Sequence, residues 1–351
     1  MRHAARKLLM SVAVLFVAGA VWHTSDRGLS RSAALRDAVL DLDSRIALRA
    51  RRKCEPRVAS FEPIGAGGAP RLDADARFVW FETTGNDGHR QIARFERATK
   101  KLQCLSCGEP GDNRRPAPHP SARAVLFDTD RFAAAARPFD RELMVLITDG
   151  PPRPSRRLTW DAARDTHALY DPSGLGIVWS RFAFAGRALR APLKLGHGSL
   201  ALGRGELLAR GGFAAVRPLA WSADARSLAL AGGFSFAPWA LLADFAIDAP
   251  ARALPAASAF DASVSYSADG SLLARTERDG AATRLWLGDT RGQPTEIALA
   301  SLGAWGAPNG IALAPAGDGF ALAQRRGAEE RLVWAQLACQ PERSERVGAT
   351  Q

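Results

Sequence analysis

From about residue 60 onward the apolar residues fall into short runs of strand length, and helical spacing is almost absent. Small, acidic and proline-containing turns separate the runs. The stretch "SYSADGSLLA", Ser265–Ala274, shows the pattern in one piece: two β-type runs around a turn. Near-copies begin at Leu72 ("LDADARFVWF"), His119 ("HPSARAVLFD"), Asp171 ("DPSGLGIVWS"), Trp221 ("WSADARSLAL") and Leu313 ("LAPAGDGFAL"). Aligned on the small residue before the turn, the anchors are Ala74, Pro120, Pro172, Ala223, Ala268 and Pro315. Their spacings by position are 46, 52, 51, 45 and 47 residues, the period of a propeller or solenoid array. Behind each anchor an apolar run leads into a second one that ends at a Gly/Pro/Asp turn, as in "ELMVLITDGPP" from Glu142. Four strands per unit and six units predict an all-β, six-bladed β-propeller, which leaves only short sheet edges. With 351 residues and 47% apolar content, the chain has enough material for one propeller over residues 57–339.

The copies resemble the repeats of TolB-type and related WD-like propellers, whose pattern runs roughly P-x-W-S-P-D-G-x-x-I-A-F. "WSADARSLALA", "YDPSGLGIVWS", "SYSADGSLLAR" and the "PSRRLTW" ending at Trp160 carry the resemblance over about residues 60–338. Several turns depart from it, with Asp224-Ala225 and Ala122-Arg123 where the family has Asp-Gly, and the chain around Arg187–Arg210 fits the pattern poorly. What the resemblance implies is the fold. The same repeat serves binding proteins and peptidase accessory domains alike.

The first residues read as an export leader, 1–22. Arg2, Arg6 and Lys7 precede an apolar stretch from Leu8 to Trp22, short for a membrane span and of the length of a secretory core. Ala18-Gly19-Ala20 fits cleavage before Val21; an uncleaved signal anchor with Trp22 at the interface is the other reading. Either one places the propeller in the periplasm or elsewhere outside the cytoplasm. Between Ser30 and Lys53, Leu35, Val39, Leu42 and Ile46 form one apolar helical stripe. Residues 23–56 are thus expected as a helical stalk, packed on the propeller or standing above the membrane, with a short dimer seam as a further alternative. Twelve of the 47 Lys and Arg but five of the 36 Asp and Glu lie in residues 1–57, so most of the formal charge of +11 belongs to this segment. A basic stalk suits anionic head groups. The remainder carries no basic stripe with aromatics, and no nucleic-acid partner is expected. Residues 340–351 read as a polar tail.

Four cysteines allow three pairings, and an exported chain favours oxidation. Blade six has a third strand, "RLVWAQLA" from Arg331, after which only the polar tail remains, while "RVASFEP", Arg57–Pro63, stands unclaimed before blade one. Antiparallel pairing of the two closes the ring and brings Cys54 to Cys339. Cys104 and Cys107 then pair locally, or form a redox couple, although no thioredoxin-like pattern surrounds them.

No Gly-x-Ser-x-Gly elbow, His-Glu-x-x-His or phosphate loop occurs; no catalytic residue, metal or cofactor is expected. "APNGIALAPAGDGF", from Ala307, resembles a segment of gluconolactonase-type propellers whose Asn helps hold a divalent cation, a role that would fall to Asn309. One Asn is not a site for a hard cation. Residues just before each anchor are expected to line the axial channel. Arg115, His119, His167, Tyr170, Arg217, Trp221 and Asn309 are therefore the candidate ligand-binding residues, joined by Ser263 and Ser265. Their Arg and His content suits an anionic group or an acidic peptide. The expected function is a non-catalytic binding or scaffold module in a bacterial envelope, tethered through its N-terminus and serving an envelope protein or peptide. The alternative is a gluconolactonase-like, metal-dependent hydrolase.

Overall fold

The computed structural model describes residues 54–341, apart from 135–139, 152, 161–162, 183–185, 197–198, 203–205, 211–215, 222–226, 235–236, 245–251, 254–262, 267–271, 280–281, 290–294 and 297–304. The expected leader, the helix Ser30–Lys53 and residues 342–351 lie outside the described residues. Among those described there is no helix, and so none long and apolar enough to cross a membrane.

A first strand, β1 (Cys54–Gly65), precedes the repeats. Blade one is β2 (Gly68–Leu72), β3 (Phe78–Thr84), β4 (Arg90–Glu96) and β5 (Lys101–Cys104). Blade two is β6 (Asn113–Pro118), β7 (Ala124–Thr129), β8 (Glu142–Ile147) and β9 (Arg156–Arg157). Blade three holds β10 (Arg164–Tyr170), β11 (Gly176–Phe182), β12 (Gly186–Gly196), β13 (Ser199–Leu202) and β14 (Glu206–Arg210). Blade four holds β15 (Val216–Trp221), β16 (Ser227–Phe234), β17 (Ala237–Asp244) and β18 (Arg252–Ala253). Blade five holds β19 (Ser263–Tyr266), β20 (Leu272–Asp279), β21 (Ala282–Asp289) and β22 (Thr295–Glu296). Blade six has three strands of its own, β23 (Ala307–Leu313), β24 (Gly319–Arg326) and β25 (Glu329–Pro341). Its fourth is β1, antiparallel to β25 from Cys54↔Pro341 to Gly65↔Leu332.

The ring is thus closed by the strand just before blade one, along the segment that the sequence left unclaimed. The strand begins at Cys54, inside the stretch expected as stalk. Cys54 and Cys339 stand opposite Pro341 and Pro56; their side chains lie outside the described residues. Blade three explains its poor fit to the repeat. Its long third strand pairs with β13 over Leu193–Gly196 and with β14 over Arg187–Arg190, so the outer position is shared by two short strands.

Period-2 geometry explains why the second strand of a blade reads as an unbroken apolar run. Both of its faces are buried. Val79 and Phe81 pack on blade six with Ala321, Ala323, Leu332 and Trp334. Phe78 and Trp80 pack on blade two with Val125, Phe127, Met144 and Leu146. Leu126 then faces blade three with Tyr170, Ile177 and Trp179, and Phe320 and Leu322 face blade five with Leu285 and Leu287. Apolar sandwiches between blades hold the ring together.

The anchor turns share one hydrogen-bond pattern. Ala76, Ala122, Gly174 and Gly317 each donate their N–H to the carbonyl three residues earlier, at 2.8–3.0 Å. All four stand two residues after an anchor and have positive φ: 49°, 57°, 73° and 66°. The turn therefore wants glycine, and among the described turns two place alanine there, at about 1 kcal/mol for the left-handed conformation. Ala76→Gly and Ala122→Gly should each raise stability by about 0.5 kcal/mol once the extra unfolded-state entropy of glycine is counted. Urea unfolding checks this, and a loss of stability at both sites would contradict it.

Each outer strand hands over to the next inner strand on one face of the ring, here termed upper. Cys54 and Pro341, at the far ends of β1 and β25, consequently share the lower face.

Candidate functional site

The inner strands β2, β6, β10, β15, β19 and β23 contact one another in cyclic order around the axis. A cavity of about 250 Å³ opens among them, and the residues five positions before the anchors all line it: Ala69, Arg115, His167, Pro218, Ser263 and Gly310. Arg71, Glu82, Arg217 and Asn309 complete its polar lining. Five of the six inner strands are interrupted here by a bulge, as at Gly68/Arg71, Arg114/Ala117 and Thr166/Leu169. In blades one to three the bulge holds Ala69, Arg115 and His167 at φ 49°, 54° and 53°. These are left-handed values in residues other than glycine, a costly conformation that clusters at functional sites.

Arg115 is bonded through both its side chain and its backbone. Its Nη1 donates to both carboxylate oxygens of Asp128, at 2.7 and 2.9 Å. Its backbone N–H, freed from the ladder by the bulge, donates to Glu82 Oε1 at 2.7 Å. Asp128 is 1% exposed and also accepts from Arg141 Nε. Burial works against the Arg115 cation, but Asp128 outweighs it and raises the pKa. Burial lowers the pKa of Arg71, with Glu82 opposing, and raises that of Glu82, with the Arg115 N–H opposing. His167 is held well below its ordinary value, first by burial and then by Arg115, Arg217, Arg164 and Arg71. Its Nδ1 is 2.9 Å from Thr166 Oγ1. The cavity wall thus presents three guanidiniums, one carboxylate and a neutral imidazole.

The structure brings Arg115, His167, Arg217 and Asn309 together in the channel and takes three other candidates out of it. His119 and Tyr170, one and two residues before their anchors, lie below the bulge, where side chains turn into the adjacent blade. Their rings meet edge to face at 4.9 Å beside a separate cavity of about 340 Å³ between blades two and three. Burial lowers the pKa of His119 and raises that of Tyr170. Trp221 packs against the core between blades three and four, with the Arg190 guanidinium 5.9 Å from its ring. Ser263 and Ser265 stitch blade five to blade six, accepting the N–H groups of Ile311 and Leu313 at 3.1 and 2.9 Å.

The expectation built on inner-strand position overlooked Arg71 and Glu82. Arg71 is the residue at which the blade-one ladder resumes after the bulge, and Glu82 is the carboxylate that ends the apolar run "FVWF". Asn309 donates its amide to Glu330 Oε1 at 3.2 Å, and Glu330 in turn accepts from Arg90 at 2.6 Å. Three guanidiniums around the cavity do not suit a divalent cation, which wants converging oxygen ligands. Among the described residues no group of three or more His, Cys, Asp and Glu could hold a metal. Among the described residues, the converging oxygen donors that the gluconolactonase-like alternative needs are not gathered around Asn309.

Cys104 and Cys107 form a disulfide, Cα–Cα 5.7 Å, in the crossing from blade one to blade two. The loop it pins carries Ser106, whose buried Oγ accepts the Ile92 N–H at 2.8 Å and donates to Gln91 Oε1 at 2.6 Å. Gln91 Oε1 also accepts from Asn113 at 2.9 Å, at the head of the strand that presents Arg115.

No family model and no curated protein sequence matches the chain. Among solved structures, TolB from Acinetobacter baumannii superposes with a TM-score of 0.50 at 17% identity, covering 79% of this chain. This chain corresponds to 56% of that protein's length. A TolB candidate from Agrobacterium tumefaciens superposes with a TM-score of 0.53 at 13% identity, over 70% of this chain and 86% of the other. At these identities the likeness is one of fold, and the fold is a TolB-like six-bladed β-propeller.

Proposed function

We propose that the protein is an exported binding module that seats an envelope protein or peptide on the upper mouth of its channel, without chemistry of its own. One observation carries the reading: equivalent positions of all six repeats converge on a single cavity whose polar wall is dominated by guanidinium groups. Binding sites of this kind combine preformed apolar walls with a few convergent polar groups. The basic, apolar N-terminal residues supply export and a tether. Because the described chain starts and ends on the lower face, such a tether leaves the upper mouth open to a partner.

Capture from envelope membranes tests the docking place. Wild-type protein should retain a partner that the Arg71→Gln, Arg217→Gln double variant loses, with its melting temperature little changed; equal retention by both would remove the channel from the reading. Export has its own test. Residues 1–60 fused to a reporter active only outside the cytoplasm should give signal, and a cleaved product should begin near Val21. A fusion active only in the cytoplasm would overturn the assignment.

A further inference from the structure

We infer that the upper mouth is a carboxylate-recognition site, in which Arg71, Arg115 and Arg217 receive a carboxylate presented by the partner. The inference rests on the docking reading above and names its chemistry.

The backbone supplies the first argument. Left-handed residues in the anchor turns close a hydrogen-bonded turn. Those in the inner strands break a ladder instead. Ala69, Arg115 and His167 share one repeat position and one conformation in three consecutive blades, each at about 1 kcal/mol. The return is placement: Arg115 and His167 reach the cavity, and the freed Arg115 N–H fixes Glu82 beside it. Strain kept at the same lining position in blade after blade points to a ligand.

Charge and size supply the second. Arg71, Arg115 and Arg217 line the cavity with Glu82 as the one carboxylate among its described lining residues, while Asp128 holds Arg115 from behind the wall. A guanidinium presents paired donors that match a carboxylate's two oxygens. At about 250 Å³ the cavity is below the roughly 300–1,000 Å³ of sites for drug-sized ligands and suits a side chain or a chain end. Glu82 favours a carboxylate over a phosphate ester. It repels a dianion more strongly, and when protonated it donates a hydrogen bond to an entering carboxylate, so that the two acids share one proton.

Proton linkage follows. The groups acting on Glu82 are Arg71 on β2 and Arg114, Arg115 and Asp128 on blade two. Those acting on His167 are Arg71, Arg115, Arg217 and Arg164 of its own strand. An anion entering among them favours the protonated form of both Glu82 and His167, so binding takes up protons and strengthens as pH falls, until the ligand's own carboxylate protonates.

Titration calorimetry on the full chain tests this with four probes: acetyl-Glu-Glu-Glu-amide, acetyl-Ala-Ala-Ala with a free C-terminal carboxylate, acetyl-Gln-Gln-Gln-amide and inorganic phosphate. At least one carboxylate probe should bind, and which one binds separates an acidic side chain from a chain end. Binding should tighten about tenfold between about pH 7.5 and pH 5.5 with net proton uptake, and Arg71→Gln should weaken it about tenfold at unchanged melting temperature. Equal binding of the neutral tripeptide, tighter binding of phosphate, or indifference to Arg71→Gln would overturn the inference. Partner capture that depends on the channel, with no carboxylate probe binding, overturns this inference and leaves the docking reading standing. Probe binding with capture indifferent to the channel variants does the reverse.

Discussion

Replacing Cys54 and Cys339 with serine should lower stability by roughly 5 kcal/mol in the chain-entropy account of a cross-link that closes a very long loop, less any native strain. Blade six has no outer strand of its own, and β1 supplies it from the far end of the sequence. A ring shut by non-covalent pairing can open at that seam, and opening exposes the faces of blades one and five that blade six covers. With Cys54↔Pro341 and Pro56↔Cys339 as ladder partners, the two cysteines stand two steps apart at the lower end of the seam. A bond there locks the strand that begins the ring to the strand that ends it. Peptide mapping without reductant should recover Cys54 joined to Cys339. Free thiols at both positions would sink the prediction, as would an unchanged unfolding midpoint in the double serine variant.

The seam and the channel differ in how far the sequence exposed them. Closure was legible because it is a counting argument: five blades with an outer strand, one without, and one strand-like segment unassigned. The turns were legible through the small residue and the acidic or glycine positions after it. The left-handed alanines 76 and 122 also show why two turns lost their glycine without losing the turn. The channel was legible only in part. Position in an inner strand nominated Arg115, His167, Arg217 and Asn309, which do meet there, but also His119, Tyr170 and Trp221, which do not. The difference is a bulge. It carries no residue signature of its own, since alanine, arginine and histidine occupy its left-handed position in three blades, yet it decides which side chain reaches the axis. Arg71 and Glu82 were hidden for the same reason: their place in the wall follows from the backbone and not from their residue type. Blade three escaped the repeat because its outer strand is divided between two short segments.

Asp128→Ala should destabilise the protein by about 3–5 kcal/mol, the cost of removing one partner from a buried ion pair. Asp128 is 1% exposed, and it holds Arg115 from the channel side and Arg141, 9% exposed, from the other. Arg141 also donates to the Asp112 carbonyl at 2.6 Å, so the carboxylate sits at the centre of a lattice joining the head of β6 to β7 and β8. Its loss leaves two guanidiniums in a poorly solvated site without their shared counter-charge, and desolvation then counts in full. Asp128→Asn should cost less, because one oxygen still accepts, although the amide's own donors then face guanidiniums. The effects of Asp128→Ala and Arg141→Ala should not add, since each removes a partner of the other; a double-mutant cycle on chemical unfolding measures that coupling. Carboxylate probes should bind more weakly to Asp128→Asn than to wild type, because the arginine they meet has lost the group that aims it. Additive effects in the cycle, together with unaltered probe binding, would show that Arg115 is positioned by the bulge alone.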